Sequence, residues 1–130
     1  MSKFIDIAVC GAHMRGLPLN HQLTELDASF VKATRTAKGY RLYNVPEKVP
    51  PRPGMVRDSS SEAALELEVW SMPLENFGAF MVQIASPLCI GTVFLEDGSS
   101  LYGFLCESDA IEGAEEISVY RGWRSYIASR

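Results

Sequence analysis

The pattern of apolar and polar positions predicts a chain built mainly from β-strands. Residues 4–10 are apolar except for Asp6, which is typical of a buried strand, and this run ends at Gly11. Residues 65–70 alternate between apolar and polar side chains. That period of two indicates a strand with one buried and one solvated face.

Turn residues predict two further pairs of strands. Residues 90–107 contain Glu96-Asp97-Gly98-Ser99 between two apolar runs, which indicates a β-hairpin. Residues 29–43 alternate on both sides of a turn at 35–39, so they form either a hairpin or a strand-turn-strand unit.

The remaining segments predict loops and short helices. Residues 46–57 contain four prolines and predict an extended surface loop without a central strand. Pro73, followed by Glu75, predicts the start of a helix over residues 73–84. An acidic loop over 107–116 precedes a short amphipathic segment at the C-terminal end. Together the elements predict a small α+β domain, a mixed β-barrel with flanking short helices, over residues 1–130.

Composition limits the class of protein. The chain has 47% hydrophobic and 22% charged residues, as an ordinary globular domain does. No apolar run is long enough for a membrane span, and the apolar run near the N-terminus is too short for a signal sequence. Three cysteines in apolar contexts predict reduced core thiols in a cytoplasmic protein, and without a CxxC motif we expect neither a metal nor a cofactor.

The charges are distributed unevenly along the chain. Residues 1–57 have nine Lys and Arg against four Asp and Glu, whereas residues 58–130 have three against twelve. The net charge of −4 argues against nucleic-acid binding, which needs a basic face. The basic half suits a small anionic ligand, but the two halves could equally pair with each other or with a second subunit.

Both histidines follow the first strand. His13 lies in Gly11-Ala12-His13-Met14 and His21 lies in Asn20-His21-Gln22. A glycine-bearing loop after a strand can direct several backbone N–H groups at one anion. The stretch therefore has the parts of a small active site, although a loop histidine satisfied by the backbone would give the same pattern.

Several motifs in the same order and spacing resemble one family. They are GAHMRGLPLNHQL, TRTAKGYRLYNVP, VPPRPGMV, LEVW with PLENFGAF, IGTVFLEDGSSLYGFLCE and GWRSYIAS. Over about residues 7–129 the chain resembles the C-terminal domain of allophanate hydrolase. The amidase domain that precedes this domain in the family is absent from the sequence, so we expect a free-standing copy.

The resemblance implies a fold like that of the gamma-glutamyl cyclotransferases. The Gly11–Met14 loop then stands where those enzymes have an anion-binding loop. Those enzymes also depend on a glutamate on the helix after the Val-Trp strand. Residues 80–84 have no acid, and Glu75 lies at the beginning of the helix. A cyclotransferase-like activity therefore remains only as an alternative.

The resemblance also implies a reaction. In fungal-type allophanate hydrolases this domain decarboxylates the N-carboxycarbamate that the amidase domain releases, and the family histidine corresponds to His13. We expect His13 to be the general acid–base group, because an imidazole titrates near neutral pH. The expected substrate-binding residues, each of which could instead be structural, are Gly11, Ala12, Met14, Asn20, His21, Arg35 and Tyr40.

Other classes of function remain open. In bacterial relatives the domain serves mainly in assembly, so the chain could be a non-catalytic module that forms a homodimer or docks onto a separate amidase. It could also be a binder of small carboxylates that has lost the acid. A homodimer, a small anionic carboxylate as substrate and a possible amidase partner are the expected associations, without nucleic acid or membrane.

Overall fold

A computed structural model describes residues 3–46 and 48–130, and it folds this part of the chain into two sheets with short helices. The strands are β1 Phe4–Val9, β2 Ser29–Arg35, β3 Tyr40–Asn44, β4 Pro53–Arg57, β5 Glu66–Pro73, β6 Leu88–Phe94, β7 Ser100–Cys106 and β8 Glu115–Glu116. The α-helices are α1 His21–Thr24, α2 Phe77–Met81 and α3 Trp123–Ala128, and 3₁₀ turns cover Leu74–Asn76, Ser108–Ile111 and Ser118–Tyr120.

The first strand lies at the centre of the larger sheet. Its five strands run in the order β2-β5-β1-β7-β6. β1 is antiparallel to β5 and parallel to β7, where Ala8 lies opposite Gly103. Residues 7–9 are buried because strands flank β1 on both sides and side chains cover the sheet. The buried strand that the apolar run predicted is therefore confirmed.

The larger sheet curls, but it does not close. Its two edge strands, β2 and β6, meet at a single bridge just beyond their ends, between Thr36 and Leu95. The side-chain hydroxyl of Thr36 accepts a hydrogen bond from the Leu65 N–H at 2.9 Å, which fixes this corner to the start of β5. The predicted mixed sheet is confirmed, whereas the closed barrel is not.

The smaller sheet corrects the loop predicted over residues 46–57. Its order is β4-β3-β8, and Pro53–Arg57 forms its edge strand β4. Proline is tolerated there because it occupies the first position of an edge strand, where no ladder hydrogen bond is lost. Gly54 is buried, and a β-carbon at this position would lie 2.7 Å from the Cys106 sulfur atom. A strand packed this closely against β7 is not a surface loop.

The turn at residues 35–39 joins the two sheets. β2 pairs with β5, and β3 pairs with β4, so β2 and β3 form a strand-turn-strand unit and the alternative of a hairpin was wrong. The hairpin predicted over residues 90–107 is confirmed by the β6–β7 ladder, which runs from Leu88–Cys106 to Phe94–Ser100.

β5 is buried on both faces. Its alternation predicted that Glu68 and Trp70 would face solvent, but their exposed fractions are 4% and 4%. β5 lies between β1 and β2, and α3 covers the side that carries Glu68. The prediction that this strand has one solvated face was therefore wrong at Glu68 and Trp70.

The helix predicted over residues 73–84 is shorter in the structure. A 3₁₀ turn at Leu74–Asn76 leads into α2, which ends at Met81. The acidic loop contains the Ser108–Ile111 turn and β8, and the amphipathic C-terminal segment contains α3. Of the helices described, none has the length and apolar character that a membrane crossing requires.

Ion pairs join the basic and acidic parts of the sequence. Lys32 lies 4.0 Å from Asp97, and Lys38 lies 3.8 Å from Glu62. Arg41 donates to Asp58 at 2.8 Å and to Glu116 at 3.0 Å. The uneven charge distribution therefore serves in part to pair the two halves, as one of the two interpretations expected.

Gly103 provides a test of the sheet's packing. A β-carbon there would lie 2.7 Å from Ala8 Cβ and 2.9 Å from the Ala8 oxygen. We expect Gly103→Ala to lower the free energy of unfolding by about 1–3 kcal/mol through overpacking. Gly78→Ala in α2 is the control, because no atom lies within 4 Å of its β-carbon position. Urea denaturation that showed equal stabilities for the two variants would contradict this packing.

Candidate functional site

The loop after β1 is held in one conformation by its own hydrogen bonds. The Met14 N–H donates to the Gly11 oxygen at 3.0 Å, and the Leu19 N–H donates to the Ala12 oxygen at 2.8 Å. The Asn20 side-chain amide donates to the His13 oxygen at 2.8 Å. Gly11 is required because a β-carbon there would collide with the ring of Pro53.

His13 is buried in an aromatic environment. Its exposed fraction is 6%, its ring stacks on Phe104 with centroids 4.7 Å apart, and it makes an edge-to-face contact with Phe80 with centroids 5.7 Å apart. Its Nε2 lies 2.7 Å from the Gln22 Oε1. Because an amide oxygen accepts only, we assign the proton to Nε2, which donates this hydrogen bond.

The environment keeps the imidazole neutral. Burial lowers the pKa of His13 to about 4; the hydrogen bond to Gln22 opposes this shift, and the positive charge of Arg52 and the proximity of His21 add to it. Near neutral pH the ring therefore holds no extra proton. In this conformation His13 is not the ready acid that its ordinary pKa predicted.

A small cavity lies beside the His13 ring. It has a volume of about 10 Å³ and is lined by the Gly11–His13 loop, Arg52, Pro53, Leu88 and Phe104. That volume holds roughly one water molecule. The guanidinium of Arg52 donates to the oxygens of Val49 and Pro50 at 3.2 and 3.3 Å.

Arg52 was missed as a site residue by the sequence reasoning. It stands in Pro51-Arg52-Pro53, a segment that predicted a surface loop, and its position beside β4 brings it to the cavity. The signal that could have found it is the VPPRPGMV motif, where an arginine stands between two prolines next to a buried glycine.

A second, larger cavity of about 470 Å³ lies on another side of the same loop. Met14, Arg35, Glu66, Glu96, Trp123 and Arg124 are among its lining residues. Glu68, which also lines this cavity, links three elements. Its Oε1 accepts from the Arg15 N–H at 2.8 Å and the Trp70 Nε1 at 3.1 Å, and its Oε2 accepts from Arg124 at 3.0 Å.

Glu68 remains ionised although it is buried. Burial raises the pKa of its carboxyl, but the Arg15 N–H, the Trp70 indole and the Arg124 guanidinium outweigh that effect and hold the pKa below its ordinary value. Arg124 also donates to the Arg15 oxygen. The end of the loop, β5 and α3 are thereby joined through one carboxylate.

The structure separates the residues expected to bind substrate. Gly11 and Ala12 lie with His13 at the small cavity, whereas Met14 and Arg35 line the large one. Asn20 holds the loop. His21 is exposed and its Nδ1 donates to the Pro18 oxygen at 3.0 Å. Tyr40 is 1% exposed, and its hydroxyl accepts from the Phe94 N–H at 3.0 Å, which is a structural contact.

The described residues offer no group of three or more His, Cys, Asp or Glu side chains arranged to hold a metal ion. Cys10 and Cys106 are buried and Cys89 is partly buried, all as free thiols. Burial raises the pKa of Cys10 to about 12, so its thiol is not an activated nucleophile.

Sequence comparison places these features in a known family. Residues 5–128 match the family described as the allophanate hydrolase C-terminal domain. The urea amidolyase of Saccharomyces cerevisiae is 41% identical over 130 residues, which cover 97% of this chain and 7% of that protein. The chain thus spans a small fraction of the length of the curated relatives that it matches.

Solved structures show the same relationship. Kluyveromyces lactis allophanate hydrolase superposes with a TM-score of 0.94 at 34% identity, covering 98% of this chain and 21% of that one. A protein specific to uropathogenic E. coli superposes with a TM-score of 0.90 at 34% identity, covering 97% of both chains. A gamma-glutamyl cyclotransferase at 14% identity and a TM-score of 0.59 shares the fold alone.

The curled mixed sheet and the loop after its central strand define an α+β domain with the gamma-glutamyl cyclotransferase-like fold, as predicted. Within this fold class, the chain belongs to the allophanate hydrolase C-terminal domain family, and the resemblance seen in its motifs is confirmed.

The lowered pKa of His13 predicts acid sensitivity. Between pH 6.5 and about 4 the unfolded chain binds a proton at His13 and the folded chain does not. This contribution to stability is present above pH 6.5 and is lost as the pH falls, by about 2–3 kcal/mol at pH 4.5. Urea denaturation at pH 7 and pH 4.5 should show that the free energy of unfolding falls less in His13→Asn than in the parent protein.

His21→Asn is the matched control, because it removes an exposed imidazole whose Nδ1 is hydrogen-bonded to the oxygen of Pro18, three residues earlier in the chain. Titration of the two histidines by NMR in the parent protein gives an independent measurement. A His13 ring that titrated at its ordinary pKa would show that it is not buried as described.

Proposed function

We propose that this domain decarboxylates N-carboxycarbamate, or a closely similar small dianion, at the small cavity beside His13. The observation that supports this proposal is the set of groups around that cavity: a buried imidazole, the guanidinium of Arg52 and the backbone of the Gly11–His13 loop. Its lining contains no carboxylate among the residues that the structure describes. Membership of the family supports the choice of substrate.

The charge of the site suits a dianion. Arg52 provides a fixed positive charge, and a guanidinium binds a carboxylate through two parallel hydrogen bonds. The bonds that it now makes are to neutral carbonyl oxygens of Val49 and Pro50, which a carboxylate would readily replace. Arg52 therefore takes the role of anion-binding residue at this cavity, whereas Arg35, which the sequence placed among the substrate-binding residues, lines the other cavity.

Substrate binding would prepare the acid. A dianion beside a neutral imidazole favours the charged form of the ring and raises its pKa, so binding draws one proton from solvent to His13. The ring then transfers this proton to the substrate nitrogen while the bond between that nitrogen and one carboxylate carbon breaks. The electron pair of the bond stays on nitrogen, and the products are carbon dioxide and carbamate.

The cavity must widen for this reaction. Its volume of about 10 Å³ admits a water molecule and no dianion. One wall consists of Arg52 and Pro53 at the start of the edge strand β4, and the preceding Val49 and Pro51 are exposed. An outward movement of this wall opens the cavity without disturbing the central strand β1.

The same small volume favours a second candidate function. If the wall does not move, His13 is a core histidine held by Gln22, and the domain is a non-catalytic module that forms a homodimer or binds an amidase. A cytoplasmic location and a homodimer remain predictions under both candidates.

Rates of carbon dioxide release test the enzymatic proposal. A separate amidase produces N-carboxycarbamate from allophanate in the presence of the purified protein, and the spontaneous rate is subtracted. We expect the protein to accelerate the release, and His13→Asn to reduce the acceleration by roughly 10²–10⁴-fold, as removal of a general acid–base group does. Arg52→Gln should mainly raise KM, because it weakens anion binding.

His21→Asn and Arg57→Gln are the controls, since both replace exposed side chains outside the small cavity. Decarboxylation that the protein does not accelerate, together with a stable dimer or a complex with the amidase, would support the module. Acceleration that is unchanged in His13→Asn would exclude this role for the imidazole.

A further inference from the structure

The large cavity is a pocket that the proposed reaction does not use. Its volume of about 470 Å³ is within the range of small-molecule sites, whereas the cavity at His13 holds about 10 Å³. Its walls come from β2, the start of β5 and α3, and Met14 of the Gly11–Met14 loop lines it, whereas residues 11–13 line the small cavity. The two cavities therefore lie on different sides of one loop.

The charges around this cavity are of both signs. Arg124 forms an ion pair with Glu68 at 3.0 Å. Arg35, Glu66 and Glu96 also line the cavity, and no ion pair within 4.0 Å involves them among residues 3–46 and 48–130. These three side chains form no ion pair with any described residue although their backbones are adjacent.

The backbone contacts of these residues are direct. Arg35 lies opposite Glu66 in the β2–β5 ladder, and the Glu96 N–H donates to the Arg35 oxygen at 3.1 Å. One cationic and two acidic side chains therefore start from adjacent backbone positions at one concave site, and no ion pair within 4.0 Å joins them. A ligand that has charges of both signs can pair with the cationic side chain and with the acidic ones at the same time.

We propose that this cavity binds a small zwitterion, with a cationic amino group directed to Glu66 and Glu96 and a carboxylate directed to Arg35. With Arg124 paired, the remaining lining charges are one positive and two negative. A dianion would meet a net negative site, whereas a molecule with an amino group and a carboxylate at opposite ends complements it. The preferred ligand class is an ω-amino acid or a basic amino acid.

The floor of the cavity suits the apolar part of such a ligand. Trp123 and Met14 line the cavity and are 3% exposed each, so the packing of the core holds these apolar side chains in place. A short methylene chain that joins the amino group to the carboxylate can rest on this surface. The charged ends then determine the orientation of the ligand.

Four probes of one chain length separate the contributions. They are 4-aminobutyrate, butyrate, n-butylamine and succinate, which carry both charges, one charge of either sign, or two negative charges. The probes are titrated into the full chain while NMR follows the Met14 methyl group and the Trp123 indole N–H. We expect saturable shifts with 4-aminobutyrate at millimolar concentrations, and weaker binding of the other three.

Variants locate the contacts. Arg35→Gln and Glu66→Gln should each weaken 4-aminobutyrate binding by roughly tenfold, because each loses a charge-assisted hydrogen bond. Lys32→Gln is the matched control, since Lys32 lies on the same strand as Arg35 and pairs with Asp97 outside the cavity lining.

Three results would overturn the proposal: succinate binding as tightly as 4-aminobutyrate, shifts that fail to saturate with every probe, or equal effects of Lys32→Gln and Arg35→Gln. The measurement involves no decarboxylation. Its failure is therefore distinct from failure of the reaction proposed at His13, and 4-aminobutyrate binding should persist in His13→Asn.

Discussion

The buried carboxylate of Glu68 is the interaction on which the arrangement of both cavities depends. It binds the backbone of Arg15 at the end of the loop, the indole of Trp70 on its own strand and the guanidinium of Arg124 on α3. Removing Arg124 would leave the charge of Glu68 in a poorly solvated position and would lower the stability of the domain. The loop that carries His13 therefore has one end fixed by a charge network and the other by the β1 ladder.

This fixation gives the two cavities opposite characters. On one side of the loop, burial makes the imidazole of His13 neutral and leaves space for about one water molecule beside Arg52. On the other side, a wide cavity contains ionised groups of both signs that are accessible to solvent. The first side suits chemistry that begins when a charged ligand enters, and the second suits recognition of a molecule with separated charges.

Much of the fold could be predicted from local patterns, whereas the site could be predicted only in part. The turn residues at 96–99 identified a real hairpin because its register depends on neighbouring residues. The burial of Glu68 could not be predicted, since its partners Arg15 and Arg124 lie 53 and 56 positions away in the sequence. Arg52 was missed for a similar reason: prolines indicated a loop, and only pairing with β3 makes residues 53–57 a strand.

The position of β1 has a consequence for the order in which the protein folds. This strand precedes both of its partners in the chain: it pairs with β5 and, in parallel, with β7, which ends at Cys106. Pairings between such distant segments form slowly, because a long intervening chain must first be closed into a loop. During translation one edge of the apolar strand β1 consequently stays unpaired until β7 has emerged from the ribosome, and an exposed edge of this kind is prone to aggregation.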